Sequence, residues 1–327
     1  MQKPDDEDSP PPSKRKPAAA SKAKGSARSK KGRDGAKAAP TLQTGTNTVS
    51  TPYGEVHEWL PVPENLPNHP TMAFFGKRRT GKSTTITNLL FHCCQHIPFG
   101  LVMSDTAFAG YWEQIIPKKF IVQGLRPDVL DWLVKRQKTL VSKYGNEDPR
   151  VSAFIILDDV IADQNTIRYS ADLARFFMEG RHLAITVFIA SQYVKGVGPM
   201  VRTNCDYIFL QPIYNKTQRD ILWDMEAAFM DKKDFSALMD EVIVRELLEG
   251  NTAQEPKKTV RIMICADFED SSEVSEKFYH WTPVPMKQLP KFRLCHPKYW
   301  EASANDMTQP AAGVSLGGVE TKLKRIF

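Results

Sequence analysis

The chain has 327 residues, 41% hydrophobic and 25% charged, enough for one large packed domain and unlike a chain disordered throughout. No apolar run of about 18 residues marks a membrane span, and residues 1–6 lack the apolar stretch of a secretory signal. The formal net charge is +6, and residues 1–40 carry 11 Lys/Arg against 5 Asp/Glu, so the excess sits in this tail and the rest is close to neutral.

Residues 1–50 are rich in Pro, Ala, Ser, Gly and Lys and hold almost no large apolar side chains. Such a segment cannot bury enough surface to offset its ordering entropy, so a disordered basic tail is expected. Its run Pro11-Pro12-Ser13-Lys14-Arg15-Lys16-Pro17 reads equally as a nuclear import signal, a generic phosphate-contacting stretch, or a solvated tail without a partner. The main domain is expected over residues 53–286, with a partly irregular C-terminal extension over 287–327. Strands are expected at 72–75, 100–104, 120–122, 151–157, 185–190, 207–210 and 260–265. Helices are expected at 82–95, 127–144, 171–179, 216–230 and 233–248. Strands alternating with helices predict an α/β fold, a mainly parallel central sheet covered by helices on both faces. The five cysteines (Cys93, Cys94, Cys205, Cys265, Cys295) are irregularly spaced, which suits a reducing interior better than a disulfide framework.

Gly76-Lys77-Arg78-Arg79-Thr80-Gly81-Lys82-Ser83 satisfies G-x-x-x-x-G-K-[ST] at every fixed position, between an apolar strand and a helix. Gly76 and Gly81 allow backbone geometry that a side chain would obstruct. The successive amides from Gly76 through Thr84 and the helix N-terminus then face the phosphates of ATP. Lys82 is expected to reach the β- and γ-phosphates, and the Ser83 hydroxyl to ligate Mg²⁺.

The strand Phe154-Ile155-Ile156-Leu157-Asp158-Asp159 delivers two carboxylates to the crevice at strand C-termini where open α/β sheets bind ligands. Asp158 is expected to hold Mg²⁺ through water. Asp159 is expected to act as general base or to orient the attacking water, the alternative being a turn cap. Gln192, after the strand 185–190, is placed to sense the γ-phosphate; the plainer reading is a strand-end backbone contact. Arg202, ahead of Arg181, is the first candidate for a charge-neutralising arginine offered to a neighbouring subunit, the alternative being a structural ion pair. The run His92-Cys93-Cys94-Gln95-His96 places two histidines four apart on a predicted helix, but no third ligand or acidic base accompanies them, so a core reading is preferred to zinc. Trp112, Trp132 and Trp223 read as packing residues.

Taken together, these motifs resemble the poxvirus-type DNA packaging ATPases of large double-stranded DNA viruses, in the FtsK/HerA class of P-loop ATPases. Beyond the phosphate loop, the resemblance is carried by Met103-Ser104-Asp105-Thr106, Tyr111-Trp112, Ile116-Pro117, the paired aspartates, Gly180-Arg181-His182, Ser191-Gln192, and Pro199, Arg202, Asn204 and Asp206. It runs from about Thr71 to Leu210, and more loosely to Ala266. It implies a P-loop NTPase fold of the RecA-like, additional-strand type. It also implies an ATP- and Mg²⁺-dependent homo-oligomeric ring that drives double-stranded DNA into a capsid, engaging a capsid or packaging-vertex protein. The expected location is the host cell interior, in a cytoplasmic viral factory or in the nucleus if the tail is an import signal, and the virion. Lys195, in the Gly-rich run Val194-Lys195-Gly196-Val197-Gly198, is a position-based candidate for gripping DNA. The alternatives are a cellular-type DNA translocase or helicase of the same class, or a nucleotide-gated virion assembly protein with low turnover. A small-molecule kinase lacks any acceptor-site signature.

Overall fold

A computed structural model describes residues 42–107, 110–160, 171–249, 261–266 and 273–305. The basic tail through residue 41 and the segment from 306 onward lie outside the described residues, and with them the import-signal reading. Ten strands form one sheet: β1 (Thr44–Thr51), β2 (Gly54–Trp59), β3 (Thr71–Phe75), β4 (Phe99–Ser104), β5 (Ile121–Gln123), β6 (Ala153–Asp158), β7 (Ile185–Ser191), β8 (Tyr207–Leu210), β9 (Arg261–Cys265) and β10 (Phe278–Trp281). Their spatial order is β1-β2-β10-β9-β8-β3-β7-β6-β4-β5.

From β8 through β5 all neighbours are parallel. This is the part of the sheet predicted from alternating strands and helices. β3, β6 and β7 are buried along their whole length, as befits strands covered on both faces, and their sequences are correspondingly apolar. Phe74 of β3 stacks on Phe209 of β8 and Phe188 of β7, with ring centroids 4.9 and 6.1 Å apart, so the centre of the sheet is also the centre of the core. The helices of the parallel part are α1 (Lys82–Cys93), α2 (Pro127–Tyr144), α3 (Ala171–Glu179) and the short α4 (Pro199–Arg202). α2 starts on Pro127, whose fixed φ and missing N–H suit a first helical turn. α5 (Lys216–Glu226) begins at Asn215, whose side chain accepts the Gln218 amide, and α6 (Lys232–Glu249) follows it.

The sheet extends past β8; of this extension the sequence pattern predicts only the strand that becomes β9, not its antiparallel direction, β10 or the β1–β2 hairpin. β9 and β10 continue it antiparallel, β2 joins β10 in parallel, and β1 closes a hairpin on β2. β1 lies, but for its last residue Thr51, within the span assigned to the tail. Its residues are mostly exposed and only Val49 is buried, so it carries no apolar alternation to read. The helix after the phosphate loop ends at Cys93, two residues earlier than predicted, so His96 is not part of it.

The segment after β10 also differs from the irregular extension expected. Asn88 of α1 donates to the Val284 carbonyl (2.9 Å) and accepts the Val284 amide (2.8 Å). Farther on, the Leu294 amide donates to the Ile115 carbonyl and the His296 amide to that of Pro98. Leu294 and Tyr299 are buried, Tyr299 against Phe99 and Phe120, so the segment after β10 is a strap laid on the domain; α7 (Val274–Lys277) precedes β10, and the strap ends in α8 (Lys298–Asn305).

Candidate functional site

The ends of three adjacent strands build the site. β7 lies between β3, which leads into the phosphate loop, and β6, which ends at Asp158, so one strand separates the loop from the carboxylates. This is the additional-strand arrangement. The stem of the loop is pinned on both sides: the Gly76 amide donates to the Ser191 carbonyl at the end of β7 (3.2 Å), and the Gln211 amide after β8 donates to Phe75 (2.8 Å).

Two glycines have distinct reasons to be there. A Cβ at Gly76 would lie 2.3 Å from Gln211 Cβ and 2.8 Å from Thr80 Oγ1, a space already filled. Gly81 caps α1 with φ 96°, a left-handed conformation that costs glycine little. Lys77, Arg78 and Arg79 are exposed on the outer side of the loop, and Thr80 Oγ1 closes it by donating to the Lys77 carbonyl (2.7 Å). Thr84 follows on the first turn of α1, partly buried, and its carbonyl accepts from Asn88.

Lys82, on the first turn of α1, is 5% exposed; its Nζ donates to the carbonyls of Gly76 (3.0 Å) and Lys77 (3.3 Å) and lies 3.6 Å from Asp159 Oδ1. Ser83, the next residue, donates its hydroxyl to Asp158 Oδ2 (3.3 Å). Consecutive residues of the helix therefore meet the two consecutive carboxylates at and just after the end of β6. The two carboxylates diverge because Asp159 turns out of the strand with φ 50°, a left-handed geometry that Asp tolerates better than most residues. Gln192 Nε2 donates to Asp159 Oδ2 (3.3 Å), so Lys82, Asp159 and Gln192 form one chain of polar contacts.

Asp158 is the buried member of the pair. Burial pushes its carboxyl above the ordinary carboxylate range; the Trp112 hydrogen bond, Lys82 and Ser83 pull it down and Asp159 pushes it up. The fit of this donor set to Mg²⁺ rests on its chemistry: a serine hydroxyl and a carboxylate within hydrogen-bond distance are hard oxygen ligands of the kind that shares a cation with nucleotide phosphates.

Arg202 is bonded within its own chain. Its guanidinium donates to the carbonyls of Val194 (3.0 Å) and Val197 (2.8 Å), bracing the loop after β7. Val194 and Gly196 of that loop are buried, and Lys195 points outward, exposed. Arg181 pairs with Asp206, whose carboxylate also accepts from the Thr71 amide at the base of β3. Both arginines thus hold structural partners in the single chain.

Two contributors escape sequence reading. Gln211 fills the space under Gly76 and donates to Thr85 Oγ1 of α1 (3.2 Å), while its buried Oε1 has no hydrogen-bond partner among the described residues. Trp112 packs in the core as expected, but its indole N–H also donates to Asp158 Oδ2 (3.0 Å). The register of β8 beside β3 would have been needed to find Gln211; the Tyr111-Trp112 pair within the resemblance was the only pointer to Trp112. In the His92–His96 run, Cys93 and Cys94 are buried while His92 and His96 are exposed; among the described residues no group of three or more His, Cys, Asp or Glu is placed to hold a metal. No helix among the described residues is long and apolar enough to cross a membrane.

Residues 64–280, which hold every site residue above, match the family model described as Poxvirus A32 protein. Protein 015R of Frog virus 3 (isolate Goorha) is 29% identical over 172 residues, 52% of this chain and 52% of that protein, so the match spans about half of that relative. Protein 088R of Invertebrate iridescent virus 3 is 30% identical over 188 residues, covering 56% of this chain and 70% of the relative. Among solved structures, the genome packaging NTPase B204 from Sulfolobus turreted icosahedral virus 2, in complex with AMPPCP, matches with a TM-score of 0.44 at 12% identity, over 67% of this chain and 100% of B204. By its family match the chain belongs to the poxvirus A32 protein family, the packaging-ATPase family that its motifs resemble.

Proposed function

We propose that this protein is an ATPase that moves double-stranded DNA into a viral capsid, working as a homo-oligomeric ring inside the infected cell against a capsid or packaging-vertex protein. One observation carries the reading. The start of α1 brings Lys82 Nζ to 3.6 Å from Asp159 while the adjacent Ser83 hydroxyl reaches Asp158, uniting phosphate loop, cation ligands and water-handling carboxylate at the same strand ends.

The amides from Gly76 to Thr84 and the N-terminus of α1 cradle the phosphates of ATP. Lys82 exchanges its loop carbonyls for the β- and γ-phosphate oxygens, which frees Asp159 from its cation to align or deprotonate water. Ser83 and Asp158 would hold Mg²⁺, which when bound neutralises charge on the phosphates. Gln192, bonded to Asp159 and continuous with the 194–197 loop, is placed to transmit loss of the γ-phosphate to that loop and to Lys195. For Arg202 to serve a neighbouring subunit it must release Val194 and Val197, so its movement and the loop's would be one event.

The test is ATP hydrolysis by the purified protein with and without duplex DNA, beside Lys82→Ala. Stimulation in the parent and background hydrolysis in the variant are expected. Equal hydrolysis by both would overturn the site assignment, and a parent indifferent to DNA would overturn the motor.

A further inference from the structure

Trp112 lies in a short helical turn (Trp112–Gln114) between β4 and β5, outside both the phosphate loop and β6. Its ring is 2% exposed, and its N–H reaches Asp158 Oδ2 at 3.0 Å. The same oxygen takes the Ser83 hydroxyl at 3.3 Å. Both donors therefore engage Oδ2, and among the described residues none engages Oδ1. Tyr111 steadies the arrangement: its ring packs edge-on against Trp112 with centroids 5.0 Å apart, and its hydroxyl bonds Thr87 of α1 at 3.0 Å. One dipeptide thus ties the segment after β4 to the phosphate-loop helix and to the β6 carboxylate.

A carboxylate at a strand end rotates about its last torsion unless something holds it, since that torsion is broad. A buried N–H that cannot slide along its ring plane supplies such a hold. A serine hydroxyl does not do so by itself, because it rotates and is itself a candidate cation ligand. Outer partners of this kind set the orientation of the ligands they touch. Resting on the ATPase reading above, we propose that Trp112 is a positioning residue for the cation site: its indole N–H locks Asp158 by Oδ2 and leaves Oδ1 to the cation and its hydration shell. Packing alone does not require this nitrogen, since a phenyl ring fills much of the same apolar space without carrying a polar atom into the core.

The experiment is equilibrium binding of a fluorescent ATP analogue to the full chain, once in EDTA and once across a Mg²⁺ titration. It compares the parent, Trp112→Phe, and a variant with benzothienylalanine at position 112, which keeps the ring shape and replaces N–H by sulfur. Both replacements should leave affinity in EDTA unchanged and raise the Mg²⁺ concentration for half-maximal binding by about tenfold, within the range typical of lost outer-shell partners. An unchanged Mg²⁺ requirement in either folded variant overturns the proposal. So does an equal loss of affinity in EDTA, which would mark a purely structural role. Should Trp112→Phe fail to fold, the benzothienylalanine variant decides. A parent that shows no Mg²⁺-dependent binding at all would sink the ATPase reading itself, a result distinct from the others.

Discussion

At the level of single residues, the proposed chemistry falls to two neighbouring carboxylates with different surroundings. Asp158 is buried under Trp112 and Ser83, whereas Asp159 is 27% exposed and faces Lys82 and Gln192. That division suits one to a cation and the other to water. Asp159→Asn keeps the size but removes the charge and the basicity, and leaves one acceptor oxygen where Lys82 and Gln192 now meet two. Hydrolysis should fall by about 10²- to 10⁴-fold, the usual worth of a general acid or base, with nucleotide affinity within a few-fold of the parent. A variant that hydrolyses at the parental rate in single-turnover assays would return Asp159 to the role of a turn cap. The identities of these residues were readable from sequence because the phosphate motif has fixed spacing and a buried acidic strand end is rare. Their hydrogen bonds were not: Asp158 and Trp112 are 46 residues apart and meet only when β4 and β6 pair.

Among the elements, the loop after β7 is where nucleotide state and movement would be coupled. Ser191 Oγ donates to the Tyr193 carbonyl, Val194 accepts from Arg202, and the Val194 amide donates to Gln218 of α5. Arg202→Ala removes a charged donor from two loop carbonyls. Each such bond contributes about 1.5–3 kcal/mol, so amide exchange at residues 194–197 should quicken by at least tenfold while the rest of the sheet is unchanged. Mixing Arg202→Ala with Lys82→Ala protein separates the two roles. Activity restored in the mixture would place Arg202 in a neighbour's site, because each mixed interface can pair one intact loop with one intact arginine. No recovery, with fast exchange in the loop, assigns it to bracing.

At the scale of the whole molecule, the strap after β10 belongs to the same packed core as the phosphate loop. Leu294 is fully buried and the bidentate Asn88–Val284 contact joins the strap to the phosphate-loop helix. Leu294→Ala should cost about 2–5 kcal/mol of stability by loss of buried methyl groups and the cavity left behind, read as a lower midpoint in urea. A change under about 0.5 kcal/mol, the scale of ordinary surface substitutions, would show that the strap is not part of the cooperative unit. The sequence by itself determined the parallel half of the sheet, from β3 through β8, and the loop and acidic pair that lie at its centre. Those elements announce themselves because a strand covered on both faces must be apolar throughout and a phosphate loop must place glycine and lysine at set positions. Only the tertiary structure decided the antiparallel extension, the strap, and the partners of Trp112, Gln211 and Arg202. β1 is a solvated edge with one buried side chain, and the strap is held by backbone groups and scattered anchors. Neither leaves a periodic trace, because what stabilises them is contact with residues far along the chain.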